Sequence, residues 1–171
     1  MAVEDGAGAD NHARTIMLTA VGSQKVLNLA APEVVTVLIC FAQATEKGIE
    51  LPENAVRERW PDAGTVLIAH IIDLTKVPAL FRKIAEGVLA NEHRKAVAAL
   101  LEEQSSAPAD YVVMRPDWSG EVARTFEIAD PNVAMSCVVL AKNGRVVAVC
   151  SDPATRERDV VAAVGRALEE E

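Results

Sequence analysis

The sequence predicts an α/β fold built on a central mixed β-sheet with helices on both faces, together with an N-terminal β-hairpin. Three observations carry this. Two runs, Val34 to Phe41 and Thr65 to Asp73, are apolar at nearly every position, the pattern of strands covered on both faces. Helix-like segments separate the strand-like runs, which implies parallel crossovers. Near the C-terminus two further apolar runs flank Lys142-Asn143-Gly144, and Asn-Gly favours the positive φ angles of a tight hairpin turn.

The elements follow in order. Thr15 to Ala20 and Lys25 to Leu29 read as two short strands around Gly22-Ser23. Pro32 separates them from the Val34–Phe41 strand. Pro52 to Trp60 reads as a helix, with Pro52 in its first turn and Pro61 ending it. After the strand Thr65–Asp73, residues Val77 to Gln104 read as helical. Leu80, Ile84, Val88, Val97, Leu100 and Leu101 recur there at helical spacing, with Gly87 and Asn91 as points where the stretch would divide. Ser105 to Pro108 is a loop, Tyr111 to Met114 a strand closed by Pro116, and Ser119 to Phe126 one or two helical turns. Ser136–Ala141 and Arg145–Cys150 form the hairpin. Asp152, as N-cap, and Pro153, at the first helical position, open a final helix with Val160, Val161, Val164 and Leu168 on one face.

With 171 residues and half of them apolar, one domain with an ample core is expected, spanning 15–171 after a disordered acidic tail over 1–14. A formal net charge of −8 disfavours nucleic acid and anionic membranes as partners. The start has neither the positive charge nor the apolar stretch of a secretory signal, and no apolar run reaches the ~18 residues of a membrane span. The cytoplasm is therefore the expected compartment. Three scattered cysteines, Cys40, Cys137 and Cys150, make neither a disulfide scaffold nor a C-x-x-C pair, and His12, His70 and His93 add no metal-ligand spacing. No metal and no cofactor is expected. Phosphate-loop, dinucleotide, serine-hydrolase and zinc-protease motifs are absent from the sequence.

Four segments resemble a known family. Val34–Phe41 is similar to the strand feeding the active site of the thioredoxin-like superfamily, in its redoxin and peroxiredoxin-like branch, and Pro52–Trp60 to the remainder of its first helix. Asp117–Ile128 resembles the redoxin segment with an aspartate, a glycine and a small helix ending at an aromatic. Val138–Val147 resembles the closing hairpin. The resemblance spans residues 15 to 171 and lies at the level of the fold. The stretch Val77–Gln104 is similar to insertions in some periplasmic redoxin-like proteins. The resemblance implies thiol chemistry at the junction after Phe41, where this chain departs from the pattern. A C-x-x-C pair would fall on Glu46 and Ile49. A T-x-x-C motif would align Thr45 with its threonine and put Gly48 at the peroxidatic cysteine. The cis-proline, or the peroxiredoxin arginine, would fall on Met135 or Ser136. A thiol-exchanging site needs a thiolate whose pKa is lowered by a helix N-terminus or a cation, and glutamate supplies no such nucleophile.

Two functional expectations follow. The first is a thioredoxin-fold protein without the usual redox-active cysteines, a non-catalytic binding or interaction module for a protein or small molecule, with a homodimer as one form. The second is an atypical thiol redox protein using Cys40 with Cys137, or Cys150. The thioredoxin-like resemblance implies that the strands of Cys40 and Cys137 are antiparallel neighbours, which would bring the two thiols near the vacated site; the competing reading makes both small buried fillers. Glu46, Lys47 and Glu50 read as a solvated helix start, and His70 as a core or sheet-edge histidine. His93 reads as part of a solvated helix face. Trp118 plugs the sheet edge or anchors a partner.

Overall fold

The computed structural model describes residues 16–19, 21, 26–103 and 113–170. The described strands are β1 (Met17–Thr19), β2 (Val26–Asn28), β3 (Val35–Phe41), β4 (Val66–Asp73), β5 (Val113–Asp117), β6 (Ser136–Leu140) and β7 (Val146–Ser151). The α-helices are α1 (Glu50–Arg59), α2 (Arg82–Glu103), α3 (Glu121–Thr125) and α4 (Glu157–Glu169), with single 3₁₀ turns at Gln43–Thr45 and Ala79–Phe81. β1 and β2 form an antiparallel pair. The other five strands form one sheet in the order β5-β4-β3-β6-β7, in which β3–β4 and β4–β5 are parallel and β3–β6 and β6–β7 antiparallel. The mixed sheet, its flanking helices and the N-terminal hairpin are thus present as the sequence predicts.

β3 sits at the centre, and all seven of its residues are buried. Successive side chains on a strand point to opposite faces, so β3 feeds two cores. Val35, Val37, Ile39 and Phe41 pack with Val56 of α1 and with Val160, Ala163, Val164 and Ala167 of α4. Leu38 and Cys40 pack on the other face with Leu67, Ala69 and Ile71 of β4, Leu27 and Leu29, and Val122 and Phe126 around α3. Each fully buried Val, Leu or Ile contributes roughly 1.5–3 kcal/mol, so β3 stabilises both cores at once. Gly144, at φ +77°, turns the β6–β7 hairpin, and a side chain there would overlap the Ala30 carbonyl oxygen. Asn-Gly was the right signal, and the close approach of residue 30 adds a second reason for glycine.

Several boundaries move. α2 runs unbroken through Gly87 and Asn91. Its stripe Leu80, Ile84 and Val88, joined by Phe81, faces outward: Leu80 is 83%, Ile84 64% and Val88 55% exposed. Among residues 82–98 only His93 is buried, so the histidine assigned to a solvated face is the one that points in. β5 continues through Pro116, which aligns with Ile72 of β4. β5 is an edge strand, where a missing N–H costs no ladder bond on the open side; Tyr111 and Val112 lie outside the described residues. The last helix starts at Glu157, not at Asp152-Pro153. Asp152 has φ 53° and instead turns the chain, its carbonyl and carboxylate accepting from the Thr155 amide (3.1 Å) and hydroxyl (2.9 Å). Aspartate tolerates the left-handed region, and its local hydrogen bonds compete with a helical start. The tail, the Gly22-Ser23 turn and the Ser105–Pro108 loop lie outside the described residues.

Candidate functional site

Residues 42–49 connect the end of β3 to α1, and this junction holds the positions singled out from the sequence. Thr45 closes a 3₁₀ turn: its Oγ accepts from the Ala42 amide at 3.0 Å and donates to the Pro131 carbonyl at 2.5 Å. The hydroxyl has one proton, and the short bond to Pro131 takes it in preference to the Ala42 carbonyl at 3.2 Å. Glu46 is exposed, Gly48 has φ +84°, and Ile49 caps α1 while packing partly on the core. Lys47 and Glu50 are exposed. On the opposing segment, Met135 is buried and Ser136 is wholly so, its Oγ without a hydrogen-bond partner among the described residues.

The loop before β6 is clamped over the carboxyl ends of β3 and β4. Thr45 holds it at Pro131, and the Asn132 amide nitrogen donates to Asp73 Oδ1 at 3.2 Å and to Asp130 Oδ1 at 3.0 Å. Asp73 Oδ1 also accepts from the Thr75 amide and hydroxyl. One strand over, Asp117 is buried, and its carboxylate accepts from the amides of Ser119 (3.3 Å), Glu121 (3.1 Å) and Val122 (3.0 Å), the last two in the first turn of α3. Arg115, two residues earlier on the same face of β5, is 1% exposed, and burial lowers its guanidinium to about 10, still charged at neutral pH. The sequence pattern does not mark Asp73 and Asn132 as holding the loop before β6, or Asp117 as holding the start of α3. The available signal was an acid ending each of two apolar strands, Ile72-Asp73 and Pro116-Asp117.

The three cysteines do not gather here. Cys40 aligns with Ser136 across β3–β6, and Cys137 aligns with Ile39. Cys40 and Cys137 therefore face opposite sides of the sheet, Cys40 with Leu38 and Ile71, Cys137 with Ile39 and Val139. Their strands are antiparallel neighbours as expected, but the offset of one residue turns the thiols apart. Cys137 instead lies directly opposite Cys150 of β7. All three are buried free thiols. Burial, and then the charge of Asp117, pushes the Cys40 thiol up. Burial first, then the neighbouring Cys150 and Cys40, pushes Cys137 up. Cys150 is raised by burial, with Asp159 adding and Arg156 and Arg166 opposing. At neutral pH all three are thiols, not thiolates.

His70 lies part-buried on β4, its Nε2 at 3.2 Å from Glu53 of α1 and its ring edge-on to Phe41 at 5.9 Å. Partial burial pushes the Glu53 carboxyl up. The hydrogen bond and charge of His70, with the charge of Arg57, outweigh it and hold the carboxyl below its ordinary value. Trp118 is half-buried at the end of edge strand β5, with the Arg82 guanidinium 5.2 Å from its ring centroid. An open groove of about 790 Å³ between α1 and α4 is lined by charges of both signs, including Glu58, Arg59, Arg158 and Arg166. Among the described residues no His, Cys, Asp and Glu cluster could hold a metal ion, and no helix is long and apolar enough to cross a membrane.

This sheet order, with α1 after the central strand and a closing β6–β7 hairpin, defines a thioredoxin-like α/β fold. Solved structures agree. An uncharacterized conserved protein from Geobacillus kaustophilus superposes with a TM-score of 0.60 at 14% identity, covering 94% of this chain and 82% of that one. BsSco, of the Sco family of cytochrome c oxidase assembly proteins, gives 0.58 at 10% identity over 95% of this chain and 96% of that one. A putative protein disulfide isomerase from Bacteroides thetaiotaomicron gives 0.58 at 14% identity over 96% and 92%. These identities establish likeness of fold alone. No family model matches the chain, and neither does any curated protein.

Proposed function

We propose that this chain is a thioredoxin-fold interaction module of the cytoplasm that works without thiol catalysis. The observation that carries this reading is the placement of its sulfur: each thiol is buried within the sheet, and the junction from Ala42 to Ile49 presents Thr45, Glu46 and Gly48 instead. An oxidoreductase of this fold needs an accessible thiolate at the start of the helix. A hydroxyl committed to Pro131 and an exposed glutamate are not nucleophiles toward disulfides or peroxides.

The partner surface we favour is the stripe Leu80, Phe81, Ile84 and Val88 at the start of α2, exposed large apolar side chains grouped on one side of the molecule. Full burial of such a side chain is worth roughly 1.5–3 kcal/mol, and a partner would add the part of it that the exposed surface leaves, most at Leu80 and about half at Phe81 and Val88. A protein partner, including a second copy of the chain, suits this surface, because a macromolecule can cover four exposed apolar side chains at once. Thiol redox chemistry is the competing reading. The likeness to BsSco, whose structure is described in terms of a disulfide switch, and to a putative disulfide isomerase speaks for it at the level of fold alone.

The test is insulin-disulfide reduction with dithiothreitol, run alongside peroxide consumption. The expected result is no turnover above the buffer rate for the parent chain or for Cys40→Ser. Turnover in the parent that Cys40→Ser abolishes would overturn the reading. For the surface, sedimentation of the parent and of Ile84→Glu decides whether the stripe pairs two copies.

A further inference from the structure

We propose that Cys137 and Cys150 are a site of reversible oxidation, joining as a cross-strand disulfide on the face of the sheet covered by α4. The register puts them directly opposite each other in an unbroken stretch of antiparallel ladder, flanked by Ser136 against Ser151 and Val138 against Val149; the irregularity in this pair of strands falls later, between Val139 and Leu140. Opposed antiparallel residues have Cα atoms about 4.5–5.5 Å apart, inside the range of about 4.4–6.8 Å that disulfides span. Both side chains belong to the same core as Val160, Val164 and Ala167 of α4. Cys40 is excluded from this pairing because it points to the other face, beside Ser136.

The two thiols differ in access. Cys137 is fully buried at the start of β6, whereas Cys150 lies one residue before exposed Ser151. Burial, with Asp159 adding to it, still holds the Cys150 thiol up against Arg156 and Arg166, so the difference between the two thiols is one of access. An oxidant therefore meets Cys150 first. With a peroxide, the Cys150 sulfur attacks the O–O bond; an S–O bond forms, the O–O bond breaks, and the departing oxygen takes a proton as water. The Cys137 sulfur, giving up its proton, then attacks the Cys150 sulfur. The S–S bond forms, the S–O bond breaks, and hydroxide leaves as a second water. Two thiols lose two electrons and one peroxide gains them. An external dithiol reverses the change by exchange. Burial keeps both steps slow, so this is a stoichiometric modification needing no exposed nucleophile, and it stands whether or not the interaction reading does.

The full-length native chain is treated with hydrogen peroxide, unfolded, alkylated with N-ethylmaleimide and mapped after trypsin. Lys142 and Arg145 lie between the two cysteines, so trypsin separates their peptides and a bridge is directly visible. Free thiols should fall from three to one, with Cys40 the survivor, and dithiothreitol should restore all three. Cys40→Ser should leave the bridge intact, and Cys150→Ser should abolish it. Cys137→Ala, checked for folding by circular dichroism, should convert Cys150 to higher oxidation products in place of the bridge. A bridge that includes Cys40, a bridge formed only between chains, or three thiols that all still alkylate after peroxide would overturn the proposal.

Discussion

Replacing Asp117 by alanine tests how the start of α3 is held. Its Oδ1 accepts from the amides of Ser119 and Glu121, and its Oδ2 from the amide of Val122. Ser119 and Glu121 are exposed, so water can replace the carboxylate there. Val122 is 1% exposed, so its amide would stay buried without an acceptor. An orphaned buried amide costs about 1–3 kcal/mol. Asp117→Ala should therefore destabilise the protein by about 2 kcal/mol. For a domain of this length that is a fall in Tm of roughly 4–8 °C, at about 2–4 °C per kcal/mol. Asp117→Asn keeps one acceptor oxygen and should cost about half as much. Urea unfolding followed by circular dichroism, with an unchanged slope, gives the free energy, and calorimetry gives Tm. If Asp117→Ala unfolds within about 0.5 kcal/mol of the parent, the carboxylate does not hold the first turn of α3 and the account of this edge is wrong.

Gly144→Ala should cost about 2–4 kcal/mol, combining an unfavourable positive φ with overlap at Ala30, whose Cα would lie 2.9 Å from the new carbon. Gly144→Asn separates the two causes by denaturant unfolding: asparagine tolerates the φ angle, so a full rescue would show that the clash with Ala30 is absent. Glu53, held below its ordinary value in the folded state, releases its proton more readily there than in the unfolded chain. The stability it contributes is present above its unfolded pKa of about 4.3 and is lost as pH falls through the folded value. Glu53→Gln should flatten that acid limb and leave stability near neutrality changed mainly by the weakened His70 contact, as read from unfolding midpoints across the acid range.

The local sequence was enough for much of the architecture. Continuous apolar runs marked β3 and β4 as strands covered on both faces, Asn143-Gly144 marked the hairpin, and the helices between strands implied parallel crossovers. The lack of a cysteine between Ala42 and Pro52 was also plain from the chain itself. These signals are local, and each is decided by a residue and its near neighbours. Partnership was different. Cys40 and Cys137 belong to adjoining strands, yet a one-residue offset in pairing sends their sulfurs to opposite faces and gives Cys137 a different companion, Cys150. Likewise the periodic apolar stripe of α2 could not say whether it faced the sheet or the solvent, nor that His93 would be the residue turned inward. Thr45 reaches Pro131 across 86 positions of sequence. Register and burial are set by contacts between segments far apart along the chain, and only the folded arrangement of all of them chooses among the pairings that each segment alone permits.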